Sequence, residues 1–189
     1  IHTISDEDLN KFTKYIRKKY PQAYYFLQIA RYTGMRLSEV YGLTWNDIDL
    51  ENRKISVNKQ LQYVKGVITF EKTKTANSVR ILPIPPILVN ILMEYKSHEL
   101  EFEHDLVLNP YKKNGVKCQV NTYIKQFGDN LSAHSLRHTY ATKLLANGLD
   151  VKTVSSLLGD TPAMVMKTYL HFSSEMKAAA SNAVANIFR

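Results

Sequence analysis

A single cysteine, Cys118, stands among the 189 residues. That excludes a disulfide within the chain and a thiolate cluster for a structural metal, and it fits a reducing, intracellular compartment. Histidines number six, but no HExxH or CxxC spacing occurs, and no acidic pair is placed for an obvious two-metal phosphoryl-transfer site. Neither a metal nor another cofactor is therefore expected. No stretch approaches the roughly 20 apolar residues of a membrane span, and the opening IHTISDEDLNKF lacks a basic start followed by an apolar run. Membrane insertion and secretion are not expected, and a cytoplasmic location is. Acidic residues are also scarce: seventeen Asp and Glu face twenty-five Lys and Arg, for a net charge of +8. Such a surface attracts polyanions, which makes nucleic acid the leading partner class. Charge alone does not separate a nucleic-acid binder from a basic protein that is merely soluble.

With no internal repeat, low-complexity tract or linker, the chain reads as one domain, mainly α with a small antiparallel β-sheet. Ser5 and the acidic residues after it mark a helix start, and this first helix should run to about Tyr20, before Pro21. The apolar residues from Ala23 to Arg31 cover most of a helix circumference, as in a buried helix ended by Thr33-Gly34. A short helix follows over Leu37 to Gly42. The period then changes: residues 54–57, 61–64, 67–70 and 79–84 have strand character, with Lys65-Gly66 as a tight turn. Beyond the prolines at 83, 85 and 86, helical spacing resumes toward Tyr95. Ser132 can cap a helix from Ala133 to Asn147, Asp150 another that ends at Gly159, and Thr161-Pro162 starts the next. A last alanine-rich helix is expected from Ser173-Ser174 to about Phe188.

In His134-Ser135-Leu136-Arg137-His138, helical geometry brings His134, Arg137 and His138 onto neighbouring parts of the helix surface, while Leu136, Tyr140 and Leu144 share another stripe. The polar cluster is expected to look outward. An imidazole can move a proton near neutral pH, and a guanidinium can grip a phosphate through two parallel hydrogen bonds; a solvated polar face is the plain alternative. In Thr33-Gly34-Met35-Arg36-Leu37-Ser38-Glu39, Arg36 begins a helix just after a glycine turn. There it either meets an anion or pairs with Glu39. Lys72 and Lys74 lie in a polar loop, where a lysine is usually only solvated. Periodicity selects none of the twelve tyrosines.

Taken in order, TGMRLSE, a hairpin with KT-x-x-S-x-R-x-L-P, HxxRHT, LLG and a tyrosine near the C-terminus resemble the catalytic domain of the tyrosine recombinases, or phage and transposon integrases. The resemblance runs from about Ser5 through Phe188. It implies Arg36, Lys74, His134 and Arg137 as active-site residues and Tyr169, in Lys167-Thr168-Tyr169-Leu170-His171, as nucleophile. Lys74 is preferred to Lys72 because it heads the pattern that ends at Pro83. Asp160 departs from the pattern, since the family places histidine or tryptophan after Leu-Leu-Gly. An ionised aspartate only accepts hydrogen bonds and repels a phosphate, so Asp160 is expected to turn away and cap the next helix.

By the same resemblance, Tyr169 attacks a DNA phosphodiester to give a 3′-phosphotyrosyl intermediate and a 5′ hydroxyl. Arg36 and Arg137 would hold the non-bridging oxygens and Lys74 would protonate the leaving oxygen. His134 would assist the tyrosine or hydrogen-bond the phosphate, two roles the sequence does not separate. Double-stranded DNA is the implied partner, with Lys11, Lys14, Lys112, Lys113 and Lys117 as candidate phosphate contacts. Four protomers on two DNA sites, working through a Holliday junction, and an accessory directionality protein are implied too. Residues 1–189 would be the catalytic domain, with N-terminal DNA-binding domains outside this chain. The expected activity is integration or excision of a mobile element, without metal or ATP. The alternatives are resolution of dimers by the same chemistry and a DNA-binding module with weakened catalysis.

Overall fold

A computed structural model describes residues 3–72, 79–98 and 100–169. Helices α1 (Asp6–Lys19), α2 (Pro21–Thr33) and α3 (Leu37–Tyr41) open the chain. Strands β1 (Ile48–Asp49), β2 (Lys54–Val57), β3 (Lys59–Val64), β4 (Val67–Lys72) and β5 (Arg80–Pro83) follow. Helices α4 (Pro86–Lys96), α5 (Lys113–Ile124), α6 (Ala133–Ala146), α7 (Val151–Leu158) and α8 (Pro162–Tyr169) complete the described fold. The expected last helix and His171 lie outside the described residues. No described helix is long and apolar enough to cross a membrane.

Helix α2 is the axis of the molecule. Ala23 through Ala30 are all buried, because α1, α4, α5 and α6 pack around it. A helix apolar on every side is stable only when enclosed this way, and large side chains such as Phe26 and Leu27 each contribute roughly 1.5–3 kcal/mol by leaving water. Ser5 and Asp150 cap their helices as the sequence implies, while at the start of α6 the Ser132 amide is held by Ser135. Ser5 Oγ accepts from the Asp8 amide at 3.0 Å, Asp150 Oδ1 from the Thr153 amide at 2.9 Å, and Ser135 Oγ from the Ser132 amide at 3.1 Å.

The expected single sheet is two. β1, β2 and β5 form an antiparallel sheet with Ile55 opposite Leu82 and Val57 opposite Arg80, while β3 and β4 make a separate hairpin. Asp47 explains the break. Its buried carboxylate accepts from the Thr44 amide at 2.8 Å and from Asn58 Nδ2 at 3.1 Å, and it pairs with Lys59. Asn58 and Lys59 are thus held at the junction of β2 and β3, where the chain passes from the first sheet into the separate hairpin. Its turn is the expected one, with Lys65 and Gly66 both at positive φ.

Two apolar clusters result among the described residues. The large one spans α1 to α5, both sheets and Leu136 of α6; the small one holds Ala141, Leu145, Val154, Leu158, Val165 and Tyr169 from α6, α7 and α8.

Candidate active site

Between the two clusters runs a chain of alternating charges. Arg80, on β5, donates from Nη1 and Nη2 to the Glu39 carboxylate at 3.1 and 2.9 Å. Glu39 also accepts from Arg36 Nη1 at 3.0 Å and from the Arg36 amide at 2.8 Å. Arg36 Nη2 donates to Asp160 Oδ1, and Asp160 Oδ2 accepts from Arg137 Nη2 at 2.6 Å. Burial works against the Glu39 anion, but the hydrogen bonds and charges of Arg80 and Arg36 outweigh it and hold the carboxyl below its usual pKa.

Local chain geometry sets these groups in place. Gly34, at φ 65°, ends α2 in the left-handed conformation; a Cβ there would lie 2.5 Å from Tyr140 Cδ1. The turn aims the Gly34 carbonyl at Arg137 Nη1, 2.8 Å away, and releases the chain into Arg36. Gly159 does the equivalent after α7. It has φ 66°, and a Cβ would come within 2.8 Å of Arg80 Nη1. Arg80 cannot yield readily, because Glu39 grips its far end and its Nε donates to the Leu157 carbonyl at 2.7 Å. Two glycines therefore let two arginines reach the exposed carbonyls at the ends of helices.

Two expectations fail here. Arg137 does not look outward: its side chain is 5% exposed, because it also donates to the Leu158 carbonyl at 2.8 Å, leaving one edge for an anion. Asp160 does not turn away to cap the next helix. Thr161 Oγ1 takes the capping role, accepting from the Met164 amide at 3.3 Å, and the Asp160 carboxylate sits between Arg36 and Arg137. Two converging guanidiniums form an anion site, and the chain's own carboxylate occupies it.

A cleft of about 240 Å³ adjoins this point, lined by Arg36, Lys117, Asn121, His134 and Arg137 among others. His134 opens to solvent, yet the cleft walls desolvate it enough, together with Arg137 and Arg36, to lower its pKa, with Asp160 opposing. On the other side of His134 stands His138, ring against ring at 4.7 Å and nearly perpendicular. His138 Nδ1 and Tyr169 Oη are hydrogen-bonded at 2.8 Å. Tyr169 is 6% exposed. Burial pushes its phenol up to about 12, and Asp160 adds to the rise while Arg137 opposes it. His138 is pushed the other way, to about 4, by burial and by the charges of His134 and Arg137. At neutral pH, then, a neutral phenol meets a neutral imidazole.

A profile of the phage integrase family matches residues 3–176. The chain belongs to the phage integrase family. A "Tyrosine recombinase XerC-like" protein of Caldanaerobacter subterraneus subsp. tengcongensis is 30% identical over 216 residues, covering 100% of this chain and 55% of the relative. "Tyrosine recombinase XerC" of Pediococcus pentosaceus is 31% identical and covers 79% of this chain and 49% of that protein. The chain thus spans about half the length of the curated relatives it matches. Among solved structures, the Tn1549 transposon integrase in complex with transposon right end DNA matches with a TM-score of 0.79, at 22% identity, over 97% of this chain and 66% of that one. XerA recombinase matches with a TM-score of 0.74, at 20% identity, over 97% and 65%. These structural likenesses fix the fold: mainly helical with small antiparallel sheets, that of the tyrosine recombinase catalytic domain.

Of the residues this integrase-family chain was expected to use, Arg36, His134 and Arg137 meet at the cleft, and Tyr169 reaches their neighbourhood through His138. Lys74 lies outside the described residues, with the rest of 73–78, so its preference over Lys72 rests on the sequence pattern. Among the candidate DNA contacts, Lys117 lines the cleft, whereas Lys113 is structural: its Nζ donates to the Leu61 carbonyl at 2.8 Å, and burial lowers its pKa. Lys11 is paired with Glu7 at 2.7 Å. The motifs assigned no role to Arg80, and His138 entered only as a member of the polar cluster with His134 and Arg137. Arg80 carried a signal as the arginine of S-x-R-x-L-P, and His138 lay one turn after His134 on the same helix. Neither position reveals its partner, because Glu39 is 41 residues from Arg80 and Tyr169 is 31 from His138.

Proposed function

We propose that this chain is the catalytic domain of a site-specific DNA recombinase that cuts and rejoins DNA through Tyr169, integrating or excising a mobile element. One observation carries the reading: Arg36 and Arg137 converge on a single anion position, flanked by His134 and within electrostatic reach of a tyrosine hydroxyl. Family membership supports the same chemistry, and the likeness to the Tn1549 integrase, solved in complex with transposon right end DNA, supports DNA as partner.

In this reading a DNA phosphodiester replaces the Asp160 carboxylate between the arginines. Tyr169 Oη bonds to phosphorus, the P–O5′ bond breaks, the phenol proton leaves to a base and the departing 5′ oxygen gains one, with Lys74 as the donor. The arginines offset charge that grows on the non-bridging oxygens. The tyrosyl ester retains the energy of the broken bond, so a 5′ hydroxyl from another strand reverses the step without ATP. Four protomers on two sites would exchange strands through a Holliday junction, acting in the cytoplasm, with N-terminal DNA-binding domains and a directionality protein supplying site choice. Dimer resolution, the alternative outcome, uses the same atoms.

Asp160 favours a variant of this reading in which catalysis is restrained. The anion site is filled at rest, so phosphate binding must first displace a carboxylate held by two ion pairs.

The test is a duplex nicked close to the cleavage point, so that the cut fragment diffuses away and the covalent complex is trapped. Wild-type protein is expected to form a protein–DNA adduct and Tyr169→Phe to form none, a loss of at least about 10⁴-fold when the attacking oxygen is absent. An adduct that persists in Tyr169→Phe assigns the nucleophile elsewhere.

A further inference from the structure

The recombinase reading leaves open which group takes the proton from Tyr169. Without such a group a phenol held near pKa 12 supplies almost no nucleophile at neutral pH. Two histidines of α6 are close enough to consider, and the structure gives them different surroundings. His134 faces the cleft with Arg36 and Arg137. His138 lies one helical turn deeper, half-buried, and its Nδ1 is 2.8 Å from the phenol oxygen. The rings of His138 and Tyr169 meet at 62°, with centroids 5.8 Å apart.

Resting on that reading of Tyr169 as nucleophile, we propose that His138 is a catalytic residue, the proton acceptor for Tyr169, and that His134 serves the phosphate instead. With its own proton on Nε2, the neutral His138 ring offers the Nδ1 lone pair to the phenol. As Tyr169 Oη bonds to phosphorus and the 5′ oxygen departs, the phenol proton passes to Nδ1, giving a histidinium. In the reverse step the 5′ hydroxyl attacks phosphorus and gives its proton back to the group that had protonated the departing 5′ oxygen. The P–Oη bond breaks, and His138 returns the phenol proton to the leaving phenolate. Proton count and charge are restored over the cycle, and no co-reactant is required.

The low basicity of His138 fits a role limited to the transition state. Among the described residues, Arg137 and His134 on its own helix and Tyr169 and Asp160 on the adjoining segment are the charged or titratable groups that bear on it. Against these the resting phenol keeps its proton, and transfer becomes favourable only as the attacking oxygen gives its electrons to phosphorus. A resting enzyme therefore carries no phenolate.

The measurement is the rate of adduct formation on two nicked duplexes that differ only at the scissile linkage, one with a normal 5′ oxygen and one with 5′ sulfur. The sulfur leaves as a thiolate and needs no proton donor. Wild-type protein reacts with both, and its failure on both removes the function and this proposal together. His138→Asn keeps an acceptor oxygen for the tyrosine but cannot take the proton; its rate is expected to fall about 10²–10⁴-fold, as for loss of a general base. The fall should be equal on both duplexes, with DNA affinity and unfolding midpoint near wild type. On the sulfur duplex the His138→Asn rate should also climb tenfold per pH unit between pH 7 and 9, because hydroxide then sets the phenolate fraction, while the wild-type rate stays nearly flat. Added imidazole should partly restore His138→Ala.

Three results would overturn the assignment. The first is a His138→Asn rate within threefold of wild type, which makes the contact only a packing bond. The second is recovery of that variant by the sulfur substrate, which moves His138 to the leaving group. The third is an unchanged pH profile in the variant.

Discussion

Arg36, Arg80 and Arg137 are tied to groups from widely separated parts of the chain: the Gly34 carbonyl, the Glu39 carboxylate, the Leu157 and Leu158 carbonyls and Asp160. Tyr169, by contrast, packs among the described residues in a small cluster drawn from α6, α7 and α8, and its hydroxyl is hydrogen-bonded to His138. The arginine side borrows the rigidity of the large core, since a shift in any one arginine would strand a buried carboxylate or carbonyl. Among the described residues the tyrosine side is held by the smaller apolar cluster, so moving the nucleophile costs less. Such a division suits a reaction in which the phosphate must be fixed while the tyrosine travels to it and returns.

Breaking the arginine side should have the largest effect. Glu39→Ala removes the buried Glu39–Arg80 ion pair, and removing one partner of such a pair costs about 3–5 kcal/mol; urea unfolding measures it. A loss under about 1 kcal/mol would mean that Arg80 is held well enough without Glu39, and the contrast between the two sides would lapse.

A smaller and more local effect is expected on the tyrosine side. Leu158→Ala empties the centre of the small cluster and should cost about 2–3 kcal/mol. Amide exchange should quicken across residues 151–169 while α2 keeps its protection, the mark of a separate opening unit. Equal quickening in α2 would show instead that the two clusters unfold as one.

The smallest change in stability is assigned to Asp160→Asn. The carboxylate is 29% exposed, and both arginines keep other partners, so the loss should stay near about 1 kcal/mol. DNA binding should move the other way and tighten several-fold, because the phosphate no longer competes with an internal anion. Unchanged affinity would separate the Asp160 position from the phosphate position.

The positions of most elements were legible because their signals are local. Ser5, Asp150 and Gly34 act on their own helix ends, and the apolar circumference of α2 needs only enclosure. The split of the β region into two sheets was not legible, because it depends on Asp47 capturing Asn58 and Lys59 across a turn. At the site, the motifs placed Arg36, His134, Arg137 and Tyr169 in the sequence without saying what each touches. Asp160 was misread for that reason: its neighbours Thr161 and Pro162 made a capping role reasonable locally, while the two guanidiniums that claim it come from residues 124 and 23 positions away.

The sequence by itself settled the charge balance, the helix ends and the ordered motifs that mark the phage integrase family, since each is carried by neighbouring residues or by order along the chain. Only the tertiary structure decided that Arg137 is buried, that Asp160 fills the anion site and that His138 is the partner of Tyr169. Those outcomes depend on which charges and hydrogen-bonding groups meet across the fold, and spacing along one helix does not record that.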